Sequence, residues 1–355
     1  VLVILQIQQI FSALASPFEK STMGFYRQCL IGLFALLLTA HCEPDPSLDN
    51  HWRLWVQTHK KIYKNEGEEL ARRLIWEDTL KFIMLHNLEY SMGLHTYEVG
   101  MNHLGDMVAE EMTDKQMNFI PQVIANITDV PVEISKSSPP ESIDWRNKNC
   151  VTSVKDQGSC IASWAFSSIG ALECQNMKRR TGKLESLSVQ NLLDCSQTYG
   201  NNGCKGGWVV SSFRYIIDNG IELESNYPYQ GKDGKCSYTP VKKASVCTSY
   251  RQLPYGDEAT LKQVVGLMGP VSVAIDASRK TFRMYKNGVY YDPNCSSSTP
   301  DHSVLVVGYG AEDGVEYWLV KNSWGTSFGD EGYIKMARNH HNNCGIANFG
   351  CFPVV

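Results

Sequence analysis

Past Asp144 the chain changes periodicity once, and that change limits the fold more than any other feature. Residues 163–178 and 188–194 carry apolar side chains at helical spacing. Residues 271–275, 302–309, 317–322 and 332–336 are short apolar runs rich in Val, Ile, Tyr and Trp, which is the pattern of strands. A helical half followed by a β half predicts an α+β domain with two lobes. The cleft between such lobes is the natural place for a ligand.

With 355 residues, 43% of them apolar and 20% charged, the chain can bury one large domain plus a smaller segment. A formal charge of -4 and a pI near 6.2 supply no basic field, so a nucleic-acid partner is not expected. Residues 1–22 precede Met23 and read as a gene-model extension. From Met23 a single positive residue, Arg27, leads into the apolar run Cys29 to Leu38 and the small residues Ala40 and Cys42. That is the layout of a secretory signal peptide over residues 23–42, since a membrane span needs about 20 apolar residues. No membrane association is expected once it is removed.

Ten of the twelve cysteines lie between Cys150 and Cys351, and entry into the secretory pathway makes disulfides their default state. No Cys-x-x-Cys pair occurs, and the group His340, His341 and Cys344 lacks a second close pair of ligands. Neither a metal nor a cofactor is therefore expected. Upstream, residues 47–118 carry charged, helix-patterned sequence with Trp52, Trp55, Leu70, Leu74, Ile75, Leu80, Ile83 and Leu88 at helical spacing. Residues 121–140 form a Pro-, Ser- and Thr-containing linker that includes the sequon Asn126-Ile127-Thr128, a glycan acceptor in a secreted loop.

Only three histidines follow Asp144, and of these His302 alone opens an apolar strand, the setting a general base requires. Twenty residues on, Asn322-Ser323-Trp324 follows a second strand, so the Asn322 amide is placed to orient the His302 ring beneath Trp324. Gln157 precedes Ser163 at the start of a helix, which suits a side-chain amide and a backbone N–H for holding an oxyanion.

The string Gln157-Gly158-Ser159-Cys160-Ile161-Ala162-Ser163-Trp164-Ala165-Phe166, with His302 and Asn322 in order behind it, resembles the papain family of cysteine proteases, in its cathepsin S and L branch. The resemblance runs from about Leu48 to the C-terminus. It implies a papain-like two-lobed fold, with a helical left lobe, a β-barrel-like right lobe and the active-site cleft between them, preceded by a helical inhibitory propeptide. It maps the family's nucleophile to Ser163, its base to His302, the orienter to Asn322 and the oxyanion donor to Gln157. Gly206 and Gly207, in Gly203-Cys204-Lys205-Gly206-Gly207, match the glycines that let a substrate backbone approach. Glu68, Arg72, Trp76, Thr79, Ile83 and Asn87, then Gly100, Asn102, Leu104 and Asp106, resemble the two propeptide motifs, with Thr79 where Asn is usual. The implied boundaries are residues 43–138 for the propeptide and 139–355 for the peptidase domain.

The resemblance further implies disulfides Cys160–Cys204, Cys195–Cys236 and Cys295–Cys344. It leaves Cys150, Cys174, Cys247 and Cys351 unassigned, with Cys174 and Cys351 read as small buried residues. The second specificity pocket would be lined near Trp208, Ala274, Pro300, Ser303 and Phe349, with Trp324 over the catalytic contact, and would favour a hydrophobic side chain. Protein or peptide substrates, the chain's own propeptide and cystatin-like inhibitors follow as partners. The expected form is a monomer in the lysosome or outside the cell.

Ser163 departs from the family. A thiol with a pKa of about 8.5 reaches the thiolate beside a histidine and a helix N-terminus, whereas a serine hydroxyl has no such route. Serine proteases place an acid behind the histidine, but here the matching residue is the neutral Asn322. Peptidase activity is thus expected to be absent or strongly reduced. The competing readings are a functional cysteine-type endopeptidase whose Ser163 is an allele, an engineered change or a sequence error, and a non-catalytic peptide- or inhibitor-binding homologue. Ile161, where the family usually has Gly, favours a natural loss.

Overall fold

Strand β8 (His302–Glu312) is buried along most of its length, and alternate side chains feed two different cores. Val304 and Val306 join the cluster containing Val271, Trp318 and Phe328, while Leu305 and Val307 join the cluster containing Trp164, Leu172 and Phe213. A strand covered on both faces reads as a continuous apolar run, which is why it was visible in the sequence. The structure is a computed structural model and describes residues 43–108, 111 and 137–355. The proposed extension, signal peptide and Asn126 glycan site lie outside these residues.

On one side β8 pairs antiparallel with β6 (Val271–Ile275), and on the other with β9 (Val315–Lys321). The sheet continues through β10 (Tyr333–Ala337) to β7 (Tyr285–Tyr290), and in the other direction from β6 to β11 (Cys351–Val354) and β5 (Ser249–Gln252). Strand β2 (Ile143–Asp144) pairs with β8 off this path, and β3 (Ile221–Glu222) with β4 (Lys243–Ser245) makes a separate ribbon.

Helix α3 (Ser163–Asn176) is buried on nearly all sides, as a helix without a polar face must be. It ends two residues before the expected boundary, and a π turn over Met177–Thr181 follows, closed by Gly182 in the left-handed region. The adjoining helix α4 (Val189–Cys195) starts at Ser188, whose Oγ accepts from Asn191 N–H at 3.0 Å as an N-cap. Helix α5 (Val209–Asn219) completes the helical half.

The chain divides into two compact units, one ending at Leu74 and one running from Ile75. In the first, helix α1 (Asp49–Thr58) buries Trp52 and Trp55 with ring centroids 5.3 Å apart, and buried Arg73 donates to Asp45 O at 3.0 Å.

The second unit takes in most of helix α2 (Glu66–Ser91) and strand β1 (Tyr97–Val99). One short strand accompanies the helices of the upstream segment: β1 lies outermost in the main sheet, antiparallel to β7. Gly288 makes that contact possible, because a Cβ there would stand 2.5 Å from Thr96 O and 2.9 Å from Tyr97 Cα. Asn87 joins α2 to β1 by both ends of its amide, donating to Val99 O at 2.8 Å and accepting from Val99 N–H at 3.0 Å. Asn102 repeats the device, with Nδ2 donating to Arg283 O at 2.7 Å and Oδ1 accepting from Leu104 N–H at 2.8 Å. Thr79 is buried and donates to Ile75 O at 2.9 Å, so the hydroxyl is satisfied within its own helix. Burial lowers the pKa of His86, which lies on the face of α2 turned toward Tyr97.

Cys160–Cys204, Cys195–Cys236 and Cys295–Cys344 are bonded as the resemblance implies. Cys174 is not a lone buried residue but closes a fourth bridge with Cys150. Cys247 and Cys351 are free thiols, both buried, and burial pushes Cys247 up to about 12 and Cys351 higher still. No helix among the described residues is long and apolar enough to cross a membrane.

Candidate active site

The first residue of α3 meets the second residue of β8. Ser163 is 6% exposed, and its Oγ accepts from Ser303 N–H at 3.3 Å. Ala162 in the cap position offers no side-chain acceptor, so the N–H groups of the first helical turn are not consumed by a cap. The approach to the helix is fixed by Cys160–Cys204, by Ile161 N–H donating to Cys204 O at 3.1 Å, and by Trp164 Nε1 donating to Ile161 O at 3.0 Å.

His302 is 3% exposed, and its Nε2 lies 2.8 Å from Asn322 Oδ1. The same oxygen accepts from Ser323 N–H at 2.8 Å, which identifies it as the carbonyl end of the amide. A carbonyl oxygen only accepts, so His302 Nε2 carries the proton and Nδ1 holds the lone pair in the neutral ring. Burial lowers the His302 pKa to about 4, with the Asn322 hydrogen bond acting in the opposite sense. Trp324 covers the pair, its ring centroid 4.7 Å from that of His302. Asn322 Nδ2 and Trp324 Nε1 are buried with no acceptor among the described residues.

Gln157 is 1% exposed and held at both ends of its amide. Its Oε1 accepts from Ser323 Oγ at 2.7 Å and its Nε2 donates to Cys160 O at 3.0 Å, which turns the NH₂ toward the start of α3 and leaves one amide hydrogen unspent. Ser323 is thus a positioning residue that the sequence reading passed over. Its place between Asn322 and Trp324 was the available signal.

Behind the site, Lys321 donates to Thr152 O at 2.8 Å, and Thr152 Oγ1 donates to Glu173 Oε2 at 2.7 Å. Burial draws Lys321 down to about 8 against the pull of Glu173, and raises Glu173. This network, also absent from the sequence reading, fixes the end of β9 that delivers Asn322.

The residues expected to line the specificity pocket are brought together in part. Register pairs Ala274 with Ser303 across β6 and β8, next to His302. Pro300 is buried two residues before His302. Trp208 caps α5 after Gly206 at φ +110° and Gly207, where a Cβ would press 2.7 Å into the Trp164 ring. Phe349 packs edge-on against Tyr255, with ring centroids 5.7 Å apart.

Comparison with known proteins agrees with this geometry. Residues 139–354 match the papain family cysteine protease domain, and residues 52–112 match the cathepsin propeptide inhibitor domain. Cathepsin S of Bos taurus is 55% identical over 335 residues, covering 91% of this chain and 99% of that protein. Cathepsin S of Mus musculus is 56% identical over 317 residues, with 88% and 92% covered. Among solved structures, digestive procathepsin L 3 from Tenebrio molitor larval midgut superposes with a TM-score of 0.81 at 42% identity, over 88% of this chain and all of that one. A recombinant stem bromelain precursor gives 0.77 at 34% identity, over 88% and 99%.

Proposed function

Because the chain belongs to the papain family of cysteine proteases and carries that family's inhibitory propeptide, we propose that Ser163 stands at the nucleophile position of a cathepsin S-like site and that peptide-bond hydrolysis is lost or reduced by orders of magnitude. The observation that carries this is the 2.8 Å contact between His302 Nε2 and Asn322 Oδ1. It puts a neutral amide, not a carboxylate, behind a buried imidazole. Proton transfer from a serine hydroxyl would create an imidazolium there with no negative charge to stabilise it. A thiol needs less help, because its own pKa lies much closer to that of the ring.

The remaining machinery supports a site that still binds. Gln157 and the first-turn amides would hold a substrate carbonyl, while the pocket near Trp208, Ala274, Pro300, Ser303 and Phe349 would take a hydrophobic side chain. We assign the protein a peptide- or inhibitor-binding role as a monomer reached through the secretory pathway, in the lysosome or outside the cell, with cystatin-like inhibitors among its partners.

A fluorogenic peptide assay on acid-processed protein tests the reading. The chain with Ser163 is expected to show no turnover above background, and Ser163→Cys to raise it on the order of a thousandfold or more. Turnover by the unaltered chain comparable to that of a cathepsin S would overturn the proposal. An inactive Ser163→Cys would move attention to Ile161, with Ile161→Gly as the next variant.

A further inference from the structure

Away from the cleft, three side chains of the propeptide converge that no motif joins. His86 and Glu89 stand three residues apart on α2 and therefore share a face. Gly93, at φ +77°, then ends the helix, with Leu94 N–H donating to Glu89 O at 3.0 Å, and turns the chain back so that His95 lies over the last turn. The His95 ring stacks on that of His86 at 4.1 Å, and its Nε2 is 2.9 Å from Glu89 Oε2. One ligating atom from each of the three side chains falls within 4.8 Å of the others.

Tyr97 O lies 3.2 Å from His86 Nε2 and can only accept, so that nitrogen carries the proton and Nδ1 is left with the lone pair. A ligating histidine whose second nitrogen donates to a backbone carbonyl is the arrangement metal sites use to fix ring orientation. Two imidazoles and a carboxylate suit zinc, whose ligand atoms sit about 3.3 Å apart around a tetrahedral ion. The observed spacing, from 2.9 Å up to 4.8 Å, brackets that value. His86 is fixed by burial, while Glu89 and His95 keep side-chain exposures of 37% and 30%, so the His95 ring, which lies parallel to that of His86 within 5°, has room to turn until its in-plane lone pair meets an incoming ion.

We propose that His86, Glu89 and His95 form a binding site for a zinc-class divalent cation within the propeptide. An ion there clips the turn at 93–96 onto α2. That turn leads straight into β1, and Thr96 Oγ1 itself donates to Val289 O at 2.5 Å. Bound metal would therefore strengthen the hold of the inhibitory segment on β7. The proposal is independent of the chemistry at Ser163.

The test is titration of zinc chloride into the full chain at neutral pH against a chromophoric chelator, with thermal melting as a second readout. One equivalent is expected to bind and to raise the melting temperature. His95→Ala and Glu89→Gln should each weaken binding at least about tenfold with an unchanged far-UV spectrum, and a His340→Ala/His341→Ala double variant should bind like the parent. Absence of zinc binding by the parent, full binding by folded His95→Ala and Glu89→Gln, or loss of binding in the double variant would each refute the site.

Discussion

Asn322 Oδ1 receives two donors, Ser323 N–H and His302 Nε2–H, while Nδ2 of the same amide points at no acceptor among the described residues. The geometry thus tolerates a carboxylate at this position better than it satisfies an amide. Asn322→Asp would keep both accepted bonds, remove the orphaned donor and place a negative charge against the imidazole. The His302 pKa is then expected to rise above its present value of about 4 by about one unit or more, which NMR titration of the ring would show. The effect on stability has a definite sign. A histidine whose folded pKa lies below its unfolded 6.5 favours the fold while neutral, so its contribution is complete above pH 6.5 and is lost as pH falls toward 4. Asn322→Asp should flatten the fall in stability across that window. An unchanged ring titration would show that the pair is less shielded than its burial implies.

Between elements, the Asn87 amide acts as a short piece of strand, giving Val99 both the donor and the acceptor that a neighbouring chain would give. Asn87→Ala leaves both backbone groups of Val99 without those partners and should destabilise the proprotein by about 1–3 kcal/mol, read as a lower urea midpoint. A variant with the parent's midpoint would mean that water replaces the amide freely. The motif containing Asn87 was legible through the resemblance to the family's propeptide pattern. Strand β1 was not, since Tyr97-Glu98-Val99 is too short for a period and exists only through Asn87 on one side and β7 on the other. Strands β6, β8, β9 and β10 were legible because burial on both faces writes itself as an apolar run. The positions of Gln157, His302 and Asn322 followed from motif order. The roles of Ser323, Thr152, Glu173 and Lys321 did not, because each depends on a contact between residues distant in the chain.

Over the whole molecule, the bridges fasten irregular segments to the two cores, and Cys150–Cys174 ties the entry of the peptidase region to the far end of α3. Its partners could not be chosen from the sequence, where four cysteines were left and the pairing is a tertiary fact. With a sequence separation of 24, loop-closure entropy assigns this bridge about 3.5 kcal/mol. The Cys150→Ala/Cys174→Ala protein is expected to lose about that much, measured by chemical denaturation against the parent, and an undiminished midpoint would show that native strain offsets the constraint. The pairing of β1 with β7 carries a different consequence, which removal of the propeptide would expose. Val289 N–H then loses Thr96 O, and Met284 O loses Gly100 N–H, so a rim of bare main-chain groups faces the solvent. Such a rim is a template for a foreign strand, so removal of the segment would exchange a capped sheet for one open to aggregation, guarded by the charge of Lys286 and by the brevity of a strand of six residues.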